Sequence, residues 1–172
     1  MAIVKTVRGF SPAHGKDCWF ADNAVLIGDI IMGDKCTVWF SAVVRGDVNA
    51  IRIGNHSNIQ DNATIHGTYE QASTSIGDNV TVGHNAIVHG CTLEDETMVG
   101  MGAIVMDHAV VKKGAIIAAG AVVLENTIVE ENTIYAGVPA KKVKQIDEQN
   151  RSMMKRIANN YIRYASWFQE EN

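Results

Sequence analysis

An apolar side chain recurs every six residues along most of this chain. The series starts at Phe20 and runs through Leu26, Met32, Val38 and Val44. After three extra residues it resumes at Ile53, Ile59 and Ile65; five more lead to Ile76, Val82 and Val88. One step of five reaches Leu93, followed by Val99, Val105, Val111, Ile117, Val123, Val129 and Tyr135. All nineteen positions are apolar in a chain that is only 47% hydrophobic, so the period carries structural information. Four residues after most of these rungs the side chain is small, as at Ala24, Cys36, Ala42, Ser57, Ala63, Ala86 and Thr92, and on through Thr133. Glycine often follows the rung directly, at Gly33, Gly54, Gly77, Gly83 and Gly100.

A period of six is neither the 3.6 of a helix nor the 2 of a simple strand. It predicts a short extended segment plus a corner, with the rung inside, the small residue in the crowded turn and the glycine relaxing the backbone. Three such segments close a triangular coil of about 18 residues, and stacked coils make a parallel β-helix solenoid. The repeat ends near Tyr135-Ala136-Gly137-Val138-Pro139. Beyond it, Val143, Ile146, Met153, Ile157, Tyr161, Tyr164 and Phe168 follow a helical spacing, predicting an amphipathic helix from about Ala140 to Glu170. The expected organisation is therefore a mainly β domain over 1–140 and a C-terminal α-helix over 141–172, packed on an edge or flank of the solenoid.

Composition narrows the function classes. Fifteen basic and nineteen acidic residues leave no basic block, which speaks against a nucleic-acid partner. No apolar run reaches the ~20 residues needed to span a bilayer, and the first residues lack the apolar core of a secretory signal. Three unpaired cysteines, Cys18, Cys36 and Cys91, fit a reducing, cytoplasmic protein better than a disulfide framework. Cys36 occupies a small-residue position and reads as core filler.

The register also places the histidines. Rungs three apart share a face, so Val44, Ile65 and Val88 stack, and the residues after them, Arg45, His66 and His89, form an outward column. Neighbouring strands lie ~4.8 Å apart, so two imidazoles one coil apart can reach one metal ion. His84 follows Val82 by two residues and belongs to the preceding face, as does Asp61 after Ile59. A third ligand either crosses an edge within the subunit or arrives from a neighbour in a closed three-fold assembly. His14, His56 and His108 share no column with another ligand type and read as surface residues.

The stretches Arg45-Gly46-Asp47, Asn58-Ile59-Gln60-Asp61, Ile65-His66 and Gly83-His84 through His89-Gly90 resemble the γ-class carbonic anhydrases. The repeat itself resembles the hexapeptide-repeat superfamily over roughly residues 7–140, which implies a left-handed coil. The resemblance implies a homotrimer in which His66 and His89 of one subunit and His84 of the next bind zinc, with iron or cobalt as alternatives. It implies polar contacts across the subunit boundary from Arg45 and Asp47, with Asp61 near the site. It further implies a hydrogen bond from Gln60 to the metal-bound water, with Asn58 and Tyr135 at or near the site. Three neutral imidazoles leave a metal position open for a water whose pKa falls to about 7, supplying hydroxide that attacks carbon dioxide to give bicarbonate. Active members carry two glutamates where this chain has Val48 and Tyr69; Glu70 is the adjacent candidate for moving the proton. Two further readings share the scaffold: an acyl-CoA thioesterase using the same metal, and a metal-free hexapeptide-repeat acyltransferase with a histidine base.

Overall fold

The computed structural model describes residues 1–170. Its chain winds into a parallel β-helix whose strands are mostly two or three residues long, with longer ones at Val25–Met32 and Val43–Ile53. The strand register follows the six-residue series. Phe20 pairs with Val38 and Val38 with Ile59; Val44 pairs with Ile65 and Ile65 with Val88; Ile76 pairs with Leu93 and Leu93 with Val111. Every rung from Leu26 to Tyr135 is buried, and only Phe20, at the first coil, is partly exposed. The insertions after Val44 and Ile65 leave the register of the stacked rungs intact.

The corners differ from the simple expectation. The backbone enters the left-handed region three residues after the rung, at Lys35, Ser41, His56, Asn62, Asn79, Asn85, Glu96, His108, Asn126 and Asn132, with φ between 53° and 60°. The glycines directly after the rungs serve the close approach of successive coils. A Cβ on Gly77 would lie 2.7 Å from the backbone nitrogen of Asp95, and one on Gly54 would lie 2.7 Å from that of Asp78. That closeness lets a ladder run up the corner: Asp34 N donates to Asn55 Oδ1 (2.9 Å), Asn55 N to Asp78 Oδ1 (2.6 Å) and Asp78 N to Asp95 Oδ1 (2.9 Å). Gly77→Ala is expected to cost about 1–3 kcal/mol, because behind the Asp95 carboxylate, which could move, stands the Asp95 backbone, which cannot. A urea titration that left the unfolding midpoint unchanged would contradict this.

At the irregular step of five, the small interior position belongs to Cys91, which is 1% exposed, and Thr92 next to it faces outward in the strand Thr92–Leu93. Cys36 is likewise fully buried among the rungs.

The C-terminal segment corrects the predicted boundary. Lys141–Gln145 is a strand, antiparallel to Thr133–Ala136, and Val143 within it is exposed. The helix Glu148–Glu170 starts only after Asp147, which caps it: Asn150 N donates to Asp147 Oδ1 (2.8 Å), and Asp147 N donates to Asn150 Oδ1 (3.2 Å). The strand covers the last coil, while the helix lies along one flank, against Thr37–Val38 and Thr81–Val82. At one end of that flank Trp19, Trp39, Phe40 and Phe168 pack with ring centroids 4.7–6.1 Å apart. No helix among the described residues is long and apolar enough to cross a membrane.

Candidate metal centre

His66 ends the strand Thr64–His66 and His89 ends Ile87–His89, and the two are register partners in adjacent coils. His66 Nδ1 and His89 Nε2 face each other at 3.2 Å. The other nitrogen of each ring is held by an aspartate. His66 Nε2 lies 3.0 Å from Asp47 Oδ1, and His89 Nδ1 lies 2.5 Å from Asp107 Oδ1. Asp47 in turn accepts from Arg45 Nη1 at 2.5 Å, and Asp107 accepts from the Thr68 hydroxyl.

These carboxylates set the tautomers. With each ring donating its N–H to its aspartate, the two facing nitrogens are left as lone pairs. Two lone pairs directed at one another repel unless a cation lies between them. Tetrahedral zinc with nitrogens at ~2.0–2.1 Å requires them about 3.3 Å apart. The observed 3.2 Å fits that requirement, and so does the donor set. Burial lowers the pKa of His66, and Arg45 adds to the effect against the opposing pull of Asp47, so the ring favours its neutral form. Burial alone would raise the carboxyls of Asp47 and Asp107, but hydrogen bonds from Arg45 and His66, and from Thr68 and His89, hold both below the usual carboxylate range.

His84 stands apart, past the strand Thr81–Val82 at a corner beside the helix. It repeats the pattern on one side: Nδ1 is 2.8 Å from Asp61 Oδ2, and Nε2 is left to accept from the Tyr161 hydroxyl at 3.1 Å. Burial, reinforced by the Asp61 charge, pushes the Tyr161 phenol up to about 12, so it remains a donor at neutral pH. Gln60 is 5% exposed and Asn58 2%. The backbone N–H of His84 donates to Gln60 Oε1 (3.2 Å), and Gln60 Nε2 donates to Asn58 Oδ1 (3.1 Å). Asn58 Nδ2 donates onward to Thr81 Oγ1 at 2.9 Å. The amide of Gln60 is thus oriented, with a second N–H proton left to offer.

Among the described residues, no three His, Cys, Asp or Glu side chains of one chain converge on a common point. The structure brings Arg45, Asp47, His66 and His89 together, and separately Asn58, Gln60, Asp61 and His84. Tyr135 belongs to neither group: it is a core rung paired with Ile117, and the tyrosine that meets a candidate ligand is Tyr161. Two aspartates of the resemblance orient ring nitrogens within the chain, and a third, Asp107, was not anticipated. Asp107 stands one coil above Gly90, where a Cβ would come within 2.7 Å of its Cγ, so the column of Gly67, Gly90 and Asp107 was a readable signal. Glu70 is exposed on the loop between Gly67 and Ala72.

Residues 73–106 match the model described as the hexapeptide repeat of succinyl-transferase. A carbonic anhydrase of Geobacillus kaustophilus is 35% identical, over 96% of this chain and 91% of that protein. The mitochondrial γ carbonic anhydrase 2 of Arabidopsis thaliana is 42% identical over 94% of this chain, which spans only 60% of its length. Among solved structures, a hexapeptide transferase family protein from Anaplasma phagocytophilum superposes with a TM-score of 0.92 at 37% identity, covering 96% of this chain and 98% of that one. Sequence likeness across nearly the whole chain, carried on this repeat scaffold, makes the protein a member of the γ-class carbonic anhydrase family.

Proposed function

We propose that three copies of this chain assemble around a three-fold axis and that each interface holds one divalent metal, on His66 and His89 of one protomer and His84 of the next. The reading rests chiefly on one observation: each of the three imidazoles has one nitrogen tied to an aspartate, and in His66 and His89 the other nitrogens face each other 3.2 Å apart, while that of His84 meets only the Tyr161 hydroxyl. Zinc suits three imidazoles, as do iron and cobalt. The reaction that fits is hydration of carbon dioxide to bicarbonate, in a cytoplasmic setting.

A metal bound there supplies a water acidic enough to act as hydroxide at neutral pH. The chain's own residues do the positioning. Asp47, Asp61 and Asp107 keep each ring in the tautomer that presents a lone pair. Gln60, fixed by Asn58 below and the His84 amide beside it, offers its remaining N–H to an oxygen of the substrate or product. Tyr161 offers its hydroxyl on the same side as His84. Val48 and Tyr69 stand where the family resemblance implies glutamates, so Glu70 and solvent buffer take the proton.

Elemental analysis of the purified protein should find about one divalent metal per subunit, and His84→Ala should find almost none. Unchanged metal in that variant overturns the site. Asp107→Asn should weaken metal affinity about 10–100-fold while leaving the saturating stoichiometry intact, read by cobalt titration in the visible range. Stopped-flow carbon dioxide hydration then tests the reaction. A protein that purifies without metal and transfers acyl groups would instead support the acyltransferase reading.

A further inference from the structure

Two of the three cysteines stand one above the other. The strand Trp19–Phe20 pairs in register with Thr37–Val38, which sets Cys18 against Cys36 one coil on. Both belong to the corner column that continues with Ser57 and Val80. Ser57 shows what this column asks of a side chain: its hydroxyl accepts from Val80 N (3.0 Å) and donates to Gly77 O (2.9 Å). The two thiols donate in the same way, Cys18 Sγ to Gly33 O (3.2 Å) and Cys36 Sγ to Gly54 O (3.0 Å). A serine meets that need equally well, so hydrogen bonding alone does not account for sulfur in two successive coils.

The surroundings of the two sulfurs differ. Cys18 is partly exposed in the first coil, and Cys36 is fully buried beneath it. Turned from Gly54 to the Cys18 sulfur, the Cys36 S–H holds the Cys18 thiol below its ordinary range against partial burial, helped by the Cys36 backbone N–H and by His14. The same contact, together with burial, pushes Cys36 up. A reactive, reachable thiol thus sits on a protonated, sheltered one. Neighbouring strands ~4.8 Å apart put the two Cα atoms within the about 4.4–6.8 Å that a disulfide spans. Cys91 provides the contrast. Its register neighbours are Thr74 and Ala109, and burial pushes its thiol up to about 12.

We propose that Cys18 and Cys36 form a peroxide-reactive dithiol, in which Cys18 takes up the oxidant and Cys36 closes an intrachain disulfide between the first two coils. The Cys18 thiolate attacks the terminal oxygen of a hydroperoxide and the O–O bond breaks. The other oxygen leaves as hydroxide or alkoxide and takes a proton from solvent. Sulfur is oxidised to a sulfenic acid and the peroxide is reduced. The Cys36 sulfur then attacks the sulfenic sulfur, the S–O bond breaks, and the hydroxyl departs as water with the Cys36 proton. The new bond ties the strand at the open edge of its sheet to the coil that follows.

The test adds hydrogen peroxide to the reduced full-length protein, blocks the remaining thiols with N-ethylmaleimide in denaturant, and maps the peptides by mass spectrometry. Cys18 and Cys36 should be recovered as one linked pair with Cys91 alkylated, and dithiothreitol should restore all three thiols. Cys36→Ser keeps a donor but has no resolving sulfur, so peroxide should leave a sulfenic acid on Cys18 that dimedone captures. Cys36→Ala removes the donor as well, and alkylation of folded protein at Cys18 should be several-fold slower than in Cys36→Ser. Cys18→Ser should leave Cys36 and Cys91 reduced. Ser57, in the same column, is the precedent for a folded serine variant, and circular dichroism checks each one.

Three free thiols after peroxide treatment of the folded protein overturn the proposal. So does a sulfinic acid on Cys18 beside a reduced Cys36, or a disulfide that links separate chains. Equal alkylation rates in Cys36→Ser and Cys36→Ala overturn the activation of Cys18 by its neighbour. Should Cys36→Ala fail to fold, the wild-type and serine results decide alone.

Discussion

His84→Ala and His89→Ala chains, each unable to hold metal alone, should regain about a quarter of the wild-type metal sites when refolded together in equal amounts. A complete interface needs an intact His66–His89 pair on one protomer and an intact His84 on the next. In randomly mixed trimers each requirement is met half the time, which gives the quarter. The geometry behind this is local: His66 and His89 share a register position in adjacent strands, while His84 lies past another face against the helix. A double variant carrying both substitutions in every chain has no complete interface and should recover nothing. Metal per subunit after mixing, measured beside the separate variants, is the deciding quantity. No recovery from properly assembled mixed trimers would mean that the three imidazoles do not meet across an interface.

Ile65→Ala should lower the stability of the fold by about 2–5 kcal/mol. Ile65 is fully buried and lies between Val44 and Val88 in the stack of rungs. Interiors of this kind are close-packed, and each coil rests on the backbone of the coil below, so the cavity has little room to collapse. The loss should appear as a lower unfolding midpoint in urea, with the slope of the transition preserved. His66 is the next residue, but its strand is held on both sides by backbone hydrogen bonds, so saturating metal content should stay near wild type. A stability unchanged within 0.5 kcal/mol, to the order of a surface substitution, would be incompatible with the rung's place in the core.

Much of the solenoid was legible because one interior position repeats. Counting in sixes from Phe20, with its three irregular steps, gives the partner of each rung, Val88 on Ile65 or Val129 on Val111. The same counting stacks His66 beneath His89 and sends His84 to a different face. The function of the glycines was less legible. Gly54 and Gly77 look like flexible corners in sequence, but the left-handed residues are His56 and Asn79, two positions on. This also accounts for His56 and His108, which occupy corner positions rather than ligand columns.

What lies outside the repeat had no register to read from. Tyr161 reaches His84 only because the helix docks at one height along the flank, and no spacing rule relates residue 161 to residue 84. Tyr135 resembles a site tyrosine by motif, and it also continues the apolar series as a buried rung paired with Ile117. The strand Lys141–Gln145 was hidden because Val143 and Ile146 fit a helical spacing; Asp147 and Asn150, a capping pair, mark the true start of the helix.

That terminal strand also decides whether these molecules can grow into fibres. A stack of coils ends in a row of free peptide groups, which is a template on which another solenoid can add end to end. Here the Thr133–Ala136 edge of the last coil is covered by a segment running in the opposite direction, so that edge no longer offers the parallel pattern that a first coil would extend. Lys141, Lys142 and Lys144 lie along it, with Lys142 paired to Glu130 and Lys144 to Asp147. Parallel addition is thereby closed off along this edge, in the one direction in which the architecture would otherwise have no natural length.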